Sequence, residues 1–448
     1  MLVSVETLAE QYAERQITFS AKNHCLDNND NFSRDDRFLC YDTRDTVGSG
    51  IGNSQTIEMV EIATGEETVL YRPRSIVGED AAPGVAAASF SPVENKVVLI
   101  HGPPLSEVAA RGYYAKPNRV GAEVVGDGSQ KLTWLDLRDT ETSRPTTRGA
   151  HRGGTHRHEY SRDGNRIGFT YDDALLRDYD RTVGYMESNP DAPAPAAAYF
   201  ALLVPVVPLG RSKPGEIEKA WGDSWVDEHG LMRAFIGKVR AQDGVDYEQS
   251  LFVVDMPADV DITTADSGSA TRFPSPPAGV RVRRLTRGFA DGIVRGSPDG
   301  SRIAYLGHAP DGSAQVFVIP SDGSDRDPGF DKRPVQVTAL AHGADSGPRW
   351  HPSGDWIACM SNNGVAVTCV EAGPLFGKTV FLTPQGDLDD TVRKTNLRDA
   401  LVWSHDGRTI AYNRRVPTAD ESGTRAFDWT GADFAQIFLI ELPAEYYE

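Results

Sequence analysis

The chain has 448 residues, 39% of them apolar, and a formal net charge of −18 from 46 basic and 64 acidic side chains. So acidic a surface argues against nucleic acid or an anionic membrane as a partner, while leaving room for an anionic small ligand drawn in by a local basic cluster. No stretch reaches the roughly 18 apolar residues of a membrane span, the opening MLVSVETLAEQYAERQ lacks the apolar core of a signal peptide, and the four cysteines form no disulfide pattern, so a reduced, cytoplasmic setting is expected.

In chain order, RQITFS (15–20) reads as a lone strand with no neighbour to pair with. One motif then recurs: SRDDRFLCYD (33–42), SPVENKVVLI (91–100), SRDGNRIGFT (161–170), SPDGSRIAYL (297–306), HPSGDWIACM (351–360) and SHDGRTIAYN (404–413). Each copy opens on Ser or His, passes through a turn and closes on an apolar strand. The Asp/Gly pair suits a turn whose backbone must visit left-handed geometry. Repetition every ~40–60 residues with strand–turn–strand content marks a propeller. A further blade lacks the motif but keeps strand-like runs: YFALLVPVV (199–207), LMRAFIGKV (231–239), LFVVDM (251–256) and VRRLT (282–286). Third strands such as QVFVIP (315–320) and outer strands such as PVQVTAL (334–340) complete the blades.

The fold expected is therefore all-β, a seven-bladed β-propeller occupying residues 1–448 as one domain. The last blade has QIFLIEL (436–442) but no outer strand after it, and RQITFS supplies that strand, closing the ring. Residues 102–130 and 208–230 read as rim insertions, with GEIEKAW in the second as a short helix. Residues 187–198 read as a linker-like loop and 257–281 as a solvent loop. Cys359 and Cys369 lie on consecutive strands, but a turn at 361–364 sets Cys359 opposite Ala366, so they do not pair.

The odd copy of the repeat is the third. His156 and His158 precede its turn motif, where the other copies carry nothing similar. Aligning the blades on their turns sets the start of each first strand and the end of each second strand at one rim. That rim collects His156, His158, Asn28, Arg44, His101, Tyr171 and Asp172, with His24 upstream and the excursion 102–130 leaving from His101. Period-two spacing puts His156 and His158 on one side of a strand. Two such imidazoles, with His101 or His24 as a third, make a divalent-metal ligand set. Imidazole suits zinc, iron, nickel, copper and manganese alike. The alternative is that His-x-His lines a polar channel. Lys116 and Arg119 sit on the excursion. Arg44, Arg119 or Arg181 are candidates to hold an acid group, and Tyr113 or a histidine that binds no metal is a candidate base. Serine-hydrolase elbows and phosphate loops are missing.

The runs RGGTHRHEYSRDGNRIGFTYDD (152–173), NHCLDNNDNFSRDDRFLCYDTR (23–44), LIHGP (99–103) and WVDEHGLMRAFIG (225–237) resemble the YidR-like family of bacterial propellers, across most of the chain. The repeats also resemble those of TolB-like propellers. More distantly, the His-x-His before the turn is similar to that of oligogalacturonate lyases. Those are cytoplasmic seven-bladed propellers that use a manganese ion, held by histidines and a glutamine, to cleave uronide disaccharides. The resemblance implies a metal-dependent lyase with manganese favoured, acting by β-elimination on an acidic oligosaccharide or small sugar acid. No residue here matches the glutamine ligand. His24, His101, His156 and His158 are then the expected metal ligands, with Arg44, Tyr113, Arg119 and Tyr171 as catalytic candidates. Asn28, Lys116, Asp172 and Arg181 are the expected substrate contacts. A binding propeller without chemistry, and a hydrolase or epimerase of an acidic sugar, remain the alternatives.

Overall fold

A computed structural model describes residues 12–26, 30–45 and 50–442. Seven antiparallel sheets follow one another as the blades of a propeller. Blade 2 runs outward through Val85–Phe90, Lys96–His101, Val120–Val125 and Leu132–Trp134. Blade 3 comprises Gly154–Tyr160, Arg166–Asp172, Thr182–Ser188 and Ala198–Leu202. Blade 4 comprises Ile217–Trp225, Met232–Arg240, Tyr247–Asp255 and Arg281–Arg284. Blade 5 (Ala290–Gly296, Arg302–His308, Ala314–Pro320, Val335–Gln336) and blade 6 (Arg349–Trp350, Trp356–Ser361, Gly364–Cys369, Thr379–Phe381) repeat the plan. In blade 1 the described sheet has the strands Phe38–Asp42, Ile57–Glu61 and Glu67–Tyr71, and on its inner edge the described residues form the bridges Cys25–Asp42 and Phe32–Leu39. Among the described residues no helix is long and apolar enough to cross a membrane.

The repeat motif is a hydrogen-bonded turn. In blade 3, Ser161 Oγ donates to Asp163 Oδ1 (2.7 Å) and accepts from the Arg166 amide (3.0 Å), while Asp163 Oδ1 accepts from the Asn165 amide. Ser297 with Asp299, Ser404 with Asp406 and Ser33 with Asp35 repeat the Ser–Asp bond. Gly164, Gly300 and Gly407 each take φ 73° at the left-handed position. In blade 1 that position falls to Asp36 (φ 55°), whose carboxylate earns a second use: it accepts from the His405 amide (2.8 Å) and the Asp406 amide (3.0 Å) of blade 7. Tryptophans stitch neighbouring blades. The indole N–H groups of Trp225, Trp350 and Trp403 donate to the carbonyls of Glu159, Arg295 and Arg349 on the preceding inner strands.

Closure follows the expectation, a little nearer the chain start. Glu14–Gln16 pairs antiparallel with Phe434–Glu441, outside Thr409–Val416 and Arg398–Trp403. The Ile17 amide continues the ladder to the Ile437 carbonyl (3.0 Å), and Ile17 is buried. Glu14 then bonds Arg398, Arg414 and Tyr412.

The inner strands share an irregularity. In blade 3, Thr170 pairs with His156 and Gly168 with Glu159, so three steps on the inner strand oppose two on its partner. Arg157 occupies this β-bulge at φ 58°. Register breaks also occur in blades 2, 4, 5 and 7, with Ala87 (φ 58°), Gly222 (φ 65°), Gly292 (φ 78°) and Ala400 (φ 43°).

Four expectations need correcting. The excursion after His101 ends at residue 119, because Val120–Val125 is already the third strand of blade 2. GEIEKAW is no helix but the start of the inner strand of blade 4. Its Ile–Ala–Trp spacing imitates a helix face, yet pairing with Met232–Arg240 decides the outcome. The run YFALLVPVV holds the outer strand of blade 3 rather than a strand of blade 4. Finally, 257–281 is not a free solvent loop: Ser267 Oγ accepts from the Gly149 amide (2.9 Å), and Phe273 stacks on Tyr179 at 4.2 Å. All four cysteines are free and buried, and Cys359 sits opposite Ala366.

Candidate active site

The mouth of blades 2 and 3 is built on missing side chains. A Cβ on Gly154 would meet the Lys116 carbonyl at 2.3 Å, and one on Gly153 would meet the Asp172 carbonyl at 2.0 Å. Gly154 therefore lets the 102–119 excursion lie directly on the start of the blade 3 inner strand, and Gly153 lets that start lie close against the backbone of Asp172. The Thr155 amide donates to the Arg119 carbonyl (3.1 Å) and fixes the register of that contact.

Arg119 is thereby carried inward. It is 2% exposed, and Nη1 donates to the Tyr114 hydroxyl (2.9 Å). Its Nε and Nη2 are buried without a hydrogen-bond acceptor. The closest acid, Asp172, stands 3.6 Å from Nη2 and is already engaged by Arg181, through Nε (3.1 Å) and Nη2 (2.8 Å). Two guanidiniums thus share one carboxylate, leaving a local positive charge in an acidic protein.

His156 lies within electrostatic reach of this pair. It is partly exposed, and its Nδ1 is a buried ring nitrogen with no partner. Burial first, then the charges of Arg119 and Arg181, push its pKa well below the usual 6.5, so the imidazole is neutral. A neutral ring with an open nitrogen beside unsatisfied guanidinium donors can accept a proton from an anionic ligand.

His158 does not join it. The bulge at Arg157 breaks the period-two alternation on which a shared face depends. His158 instead enters a buried network: its Nε2 lies 3.1 Å from Thr155 Oγ1, and Thr155 donates to Asp136 Oδ2 (2.6 Å). Asp136 also meets His151 Nε2 (3.2 Å) and accepts from the Gly121 amide (2.8 Å). Burial raises the cost of the Asp136 charge, yet His151 beside it holds the carboxyl below the usual range. Burial pushes His158 down to about 4.

The remaining expected residues are dispersed. His24 is buried in blade 1, its Nε2 3.2 Å from Glu67 Oε1 and 3.1 Å from Ser20 Oγ. His101 packs edge-on against Trp134, with Nε2 3.1 Å from the Tyr71 hydroxyl, and burial lowers it to about 4. The four-histidine metal set is therefore not assembled: each ring is drawn into a different local network. Among the described residues no group of three or more His, Cys, Asp or Glu side chains is arranged to hold a metal ion. Arg44 forms a two-bond fork with Asp42 (2.9 and 2.8 Å), and Asp42 accepts from the bulge amide of Ala87 (2.8 Å), which fastens blade 1 to blade 2. Tyr171 is fully buried and donates to Asp173 Oδ2 (2.8 Å). Tyr113 and Lys116 point outward from the excursion as exposed side chains. Asn28 lies outside the described residues.

Sequence reasoning set Tyr114 on the excursion without a role and missed Arg157, Asp136 and His151. Asp136 carried a usable signal, since a lone acid between Leu135 and Leu137 implies a buried, satisfied carboxylate. Arg157 carried none, because a bulge is a property of the paired strand.

Residues 84–193, which span this mouth, match the family model described as "Protein of unknown function (DUF3748)". A relative in Escherichia coli (strain K12), described as "Uncharacterized protein YidR", is 30% identical over 433 residues, covering 90% of this chain and 96% of its own. Among solved structures, a TolB from Agrobacterium tumefaciens is similar over 87% of this chain and 98% of that one, at 13% identity and TM-score 0.39. A gluconolactonase from Xanthomonas campestris is similar over 99% and 94%, at 11% identity and TM-score 0.41. At such identities and TM-scores neither structure carries an argument about this chain.

Proposed function

The chain belongs to the YidR-like family of bacterial propellers, and from the residues gathered at the mouth of blades 2 and 3 we propose that it is an enzyme acting on an acidic sugar. The observation that carries this reading is the pair of buried, unsatisfied Arg119 donors beside the open Nδ1 of neutral His156. Buried donors of this kind favour a ligand that brings its own acceptors, and a carboxylate matches a guanidinium edge.

The reaction favoured is β-elimination on a uronate. Arg119 and Arg181 offset the carboxylate charge, which makes the neighbouring C–H acidic. His156 Nδ1 accepts that proton. The electron pair left behind forms a carbon–carbon double bond as the bond to the leaving sugar oxygen breaks. That oxygen takes a proton from the Tyr114 hydroxyl, which is free to donate because Arg119 donates to it. Water later restores the Tyr114 proton as His156 returns its own to solvent. The histidines do not fit a single ion, so no step is routed through a metal.

The test is incubation of the purified protein with oligogalacturonides and with saturated uronide disaccharides. Elimination yields a conjugated uronide that absorbs in the ultraviolet. His156→Ala and Arg119→Lys should each lower its rate at least ~100-fold. Substrate turned over without ultraviolet product, but with solvent deuterium incorporated beside the carboxylate, would make the same site an epimerase. Turnover with neither would identify a hydrolase. Full activity in both variants would remove the site assignment.

A further inference from the structure

A cavity of about 530 Å³ opens where blade 7 meets blade 1. Thr43 and Asp45, which follow the second strand of blade 1, line it together with Phe434, which opens the third strand of blade 7. In antiparallel blades those positions lie on the rim from which the excursion after His101 also leaves. The turn 51–53 touches both places: Asn53 lines the cavity, while Gly52 lies against Tyr114, so close that an added Cβ would stand 3.2 Å from the ring.

One wall of this cavity is a bare aromatic face. Trp429 is 70% exposed, and among the described residues no ring stacks on it and no cation lies over it. Phe427 nearby differs, being covered by Arg393 (4.9 Å) and Arg425 (5.2 Å). The turn that carries Trp429 is held firmly. Asp428 Oδ1 accepts from the Thr430 and Ala432 amides (2.9 and 3.0 Å), and Oδ2 accepts from Arg415 Nη1 (3.1 Å). Buried Arg415 also donates to the Asp45 carbonyl, which fixes the Trp429 turn relative to Asp45. Asp45 is 5% exposed, and its Oδ1 has no hydrogen-bond partner among the described residues. The other lining acid of blade 1 is engaged: Glu58 accepts from Tyr41 (2.9 Å), Thr56 (2.8 Å) and Lys22. Lys22 and Arg72 are the lining cations, set against the carboxylates of Asp45, Glu58 and Asp428, so the cavity has no excess of positive charge.

We propose that this cavity binds an uncharged pyranose ring. A pyranose has a face of C–H bonds, which packs on the electron-rich face of an indole, and an edge of hydroxyls, which donate to carboxylate and amide oxygens. Trp429 takes the face, and Asp45 with the exposed amide of Gln55 takes hydroxyls. A flat aromatic ligand without hydroxyls leaves the acceptors unmet. A uronate meets Asp45 as a like charge. The cavity is distinct from the blade 2–3 mouth, so the site does not depend on the activity proposed there.

The experiment is saturation-transfer NMR of the full chain with the methyl pyranosides of glucose, galactose, mannose and xylose, and with the methyl glycoside of galacturonic acid as the charged comparison. The expected result is saturable binding of at least one neutral glycoside, weakened at least ~10-fold in Trp429→Ala and at least ~3-fold in Asp45→Asn. Arg119→Lys, at the other mouth, should bind it as the wild type does. Because Trp429 is mostly exposed, Trp429→Ala should melt as the wild type does, so lost binding is not lost folding. No binding of any neutral glycoside to the wild-type chain, binding that survives Trp429→Ala, or binding lost in Arg119→Lys instead overturns the proposal. Galacturonide binding that needs Trp429 as much as neutral glycoside binding does overturns the choice of an uncharged ligand.

Discussion

Glu14 should be the most sensitive point of ring closure, and Glu14→Ala makes the argument quantitative. Its carboxylate accepts from Arg398 Nη2 (2.9 Å) and Nε (3.2 Å), from Arg414 Nη1 (3.1 Å) and from the Tyr412 hydroxyl. The Arg398 side chain is fully buried, and Glu14 is 15% exposed. Removing one partner of a buried ion pair typically costs 3–5 kcal/mol, because the remaining charge loses its compensation without regaining water. Here Asp387 still holds Arg398 through Nη1 (2.6 Å) and Nη2 (3.1 Å), which places the loss at the lower end, about 3 kcal/mol. Urea unfolding followed by tryptophan fluorescence measures it. Arg414→Ala is the comparison, since Arg414 is less buried and also bonds Asn396, and about 1 kcal/mol is expected there. Deleting residues 1–20 should cost more than Glu14→Ala, because it also removes Ile17 and exposes the edge of Phe434–Glu441 to other chains. A Glu14→Ala variant within ~0.5 kcal/mol of wild type would refute the idea that this carboxylate fastens the ring.

Other outcomes follow from single residues. Burial opposes charge on His405, yet its hydrogen bonds to Asp30 and Asp36 outweigh that and raise its pKa to about 10. Its contribution is fully present below the unfolded value near 6.5 and fades as pH rises through 10. With the side chain 36% exposed, His405→Ala should cost ~1 kcal/mol at pH 6 and little above pH 10; an equal cost at both would contradict the pairing. Ala87 sits at φ 58° in its bulge, so Ala87→Gly should stabilise by ~0.5–1 kcal/mol in the same urea assay, whereas a loss would mean the strain is absent. Because the His156 pKa is lowered, the acid limb of kcat/KM should lie below pH 6.5 and vanish in His156→Ala; a limb at or above 6.5 would exclude His156 as the base.

Some of this molecule could be read from its sequence because the information is local. The Ser–Asp bond of the turn recurs in four blades, so the turns marked six of the seven blades, strand-like runs marked the other, and a last blade short of one strand named its donor. The site was legible in part. Aligning the rims set His156 and Asp172 at one rim, with Arg119 on the excursion leaving it; that Arg181 joins Arg119 at Asp172, and that Gly154 lets the excursion approach, was not read. The metal set failed for a reason no spacing rule contains. His-x-His lies on one face only where the strand is regular, and a bulge separates the two rings. His24 and His101 were placed near the correct rim, but which partner a buried imidazole turns toward is decided by side chains far away in sequence, Glu67 and Tyr71 among them. The inner strand of blade 4 was hidden for a similar reason, its pattern being resolved only by the strand beside it.

The register break that recurs along the inner strands divides those of blades 2, 3 and 7 into two lengths of opposite parity. The length near the turn is bound into the blade: in blades 4 and 7 its tryptophan reaches the neighbouring backbone, so its inward and outward positions are fixed. Beyond the break, gaining or losing one residue exchanges which side chains look into the channel while leaving the rest of the blade in place. A rim organised this way can change its chemistry blade by blade without renegotiating the core, and a histidine pair confined to the third blade is one product of that independence.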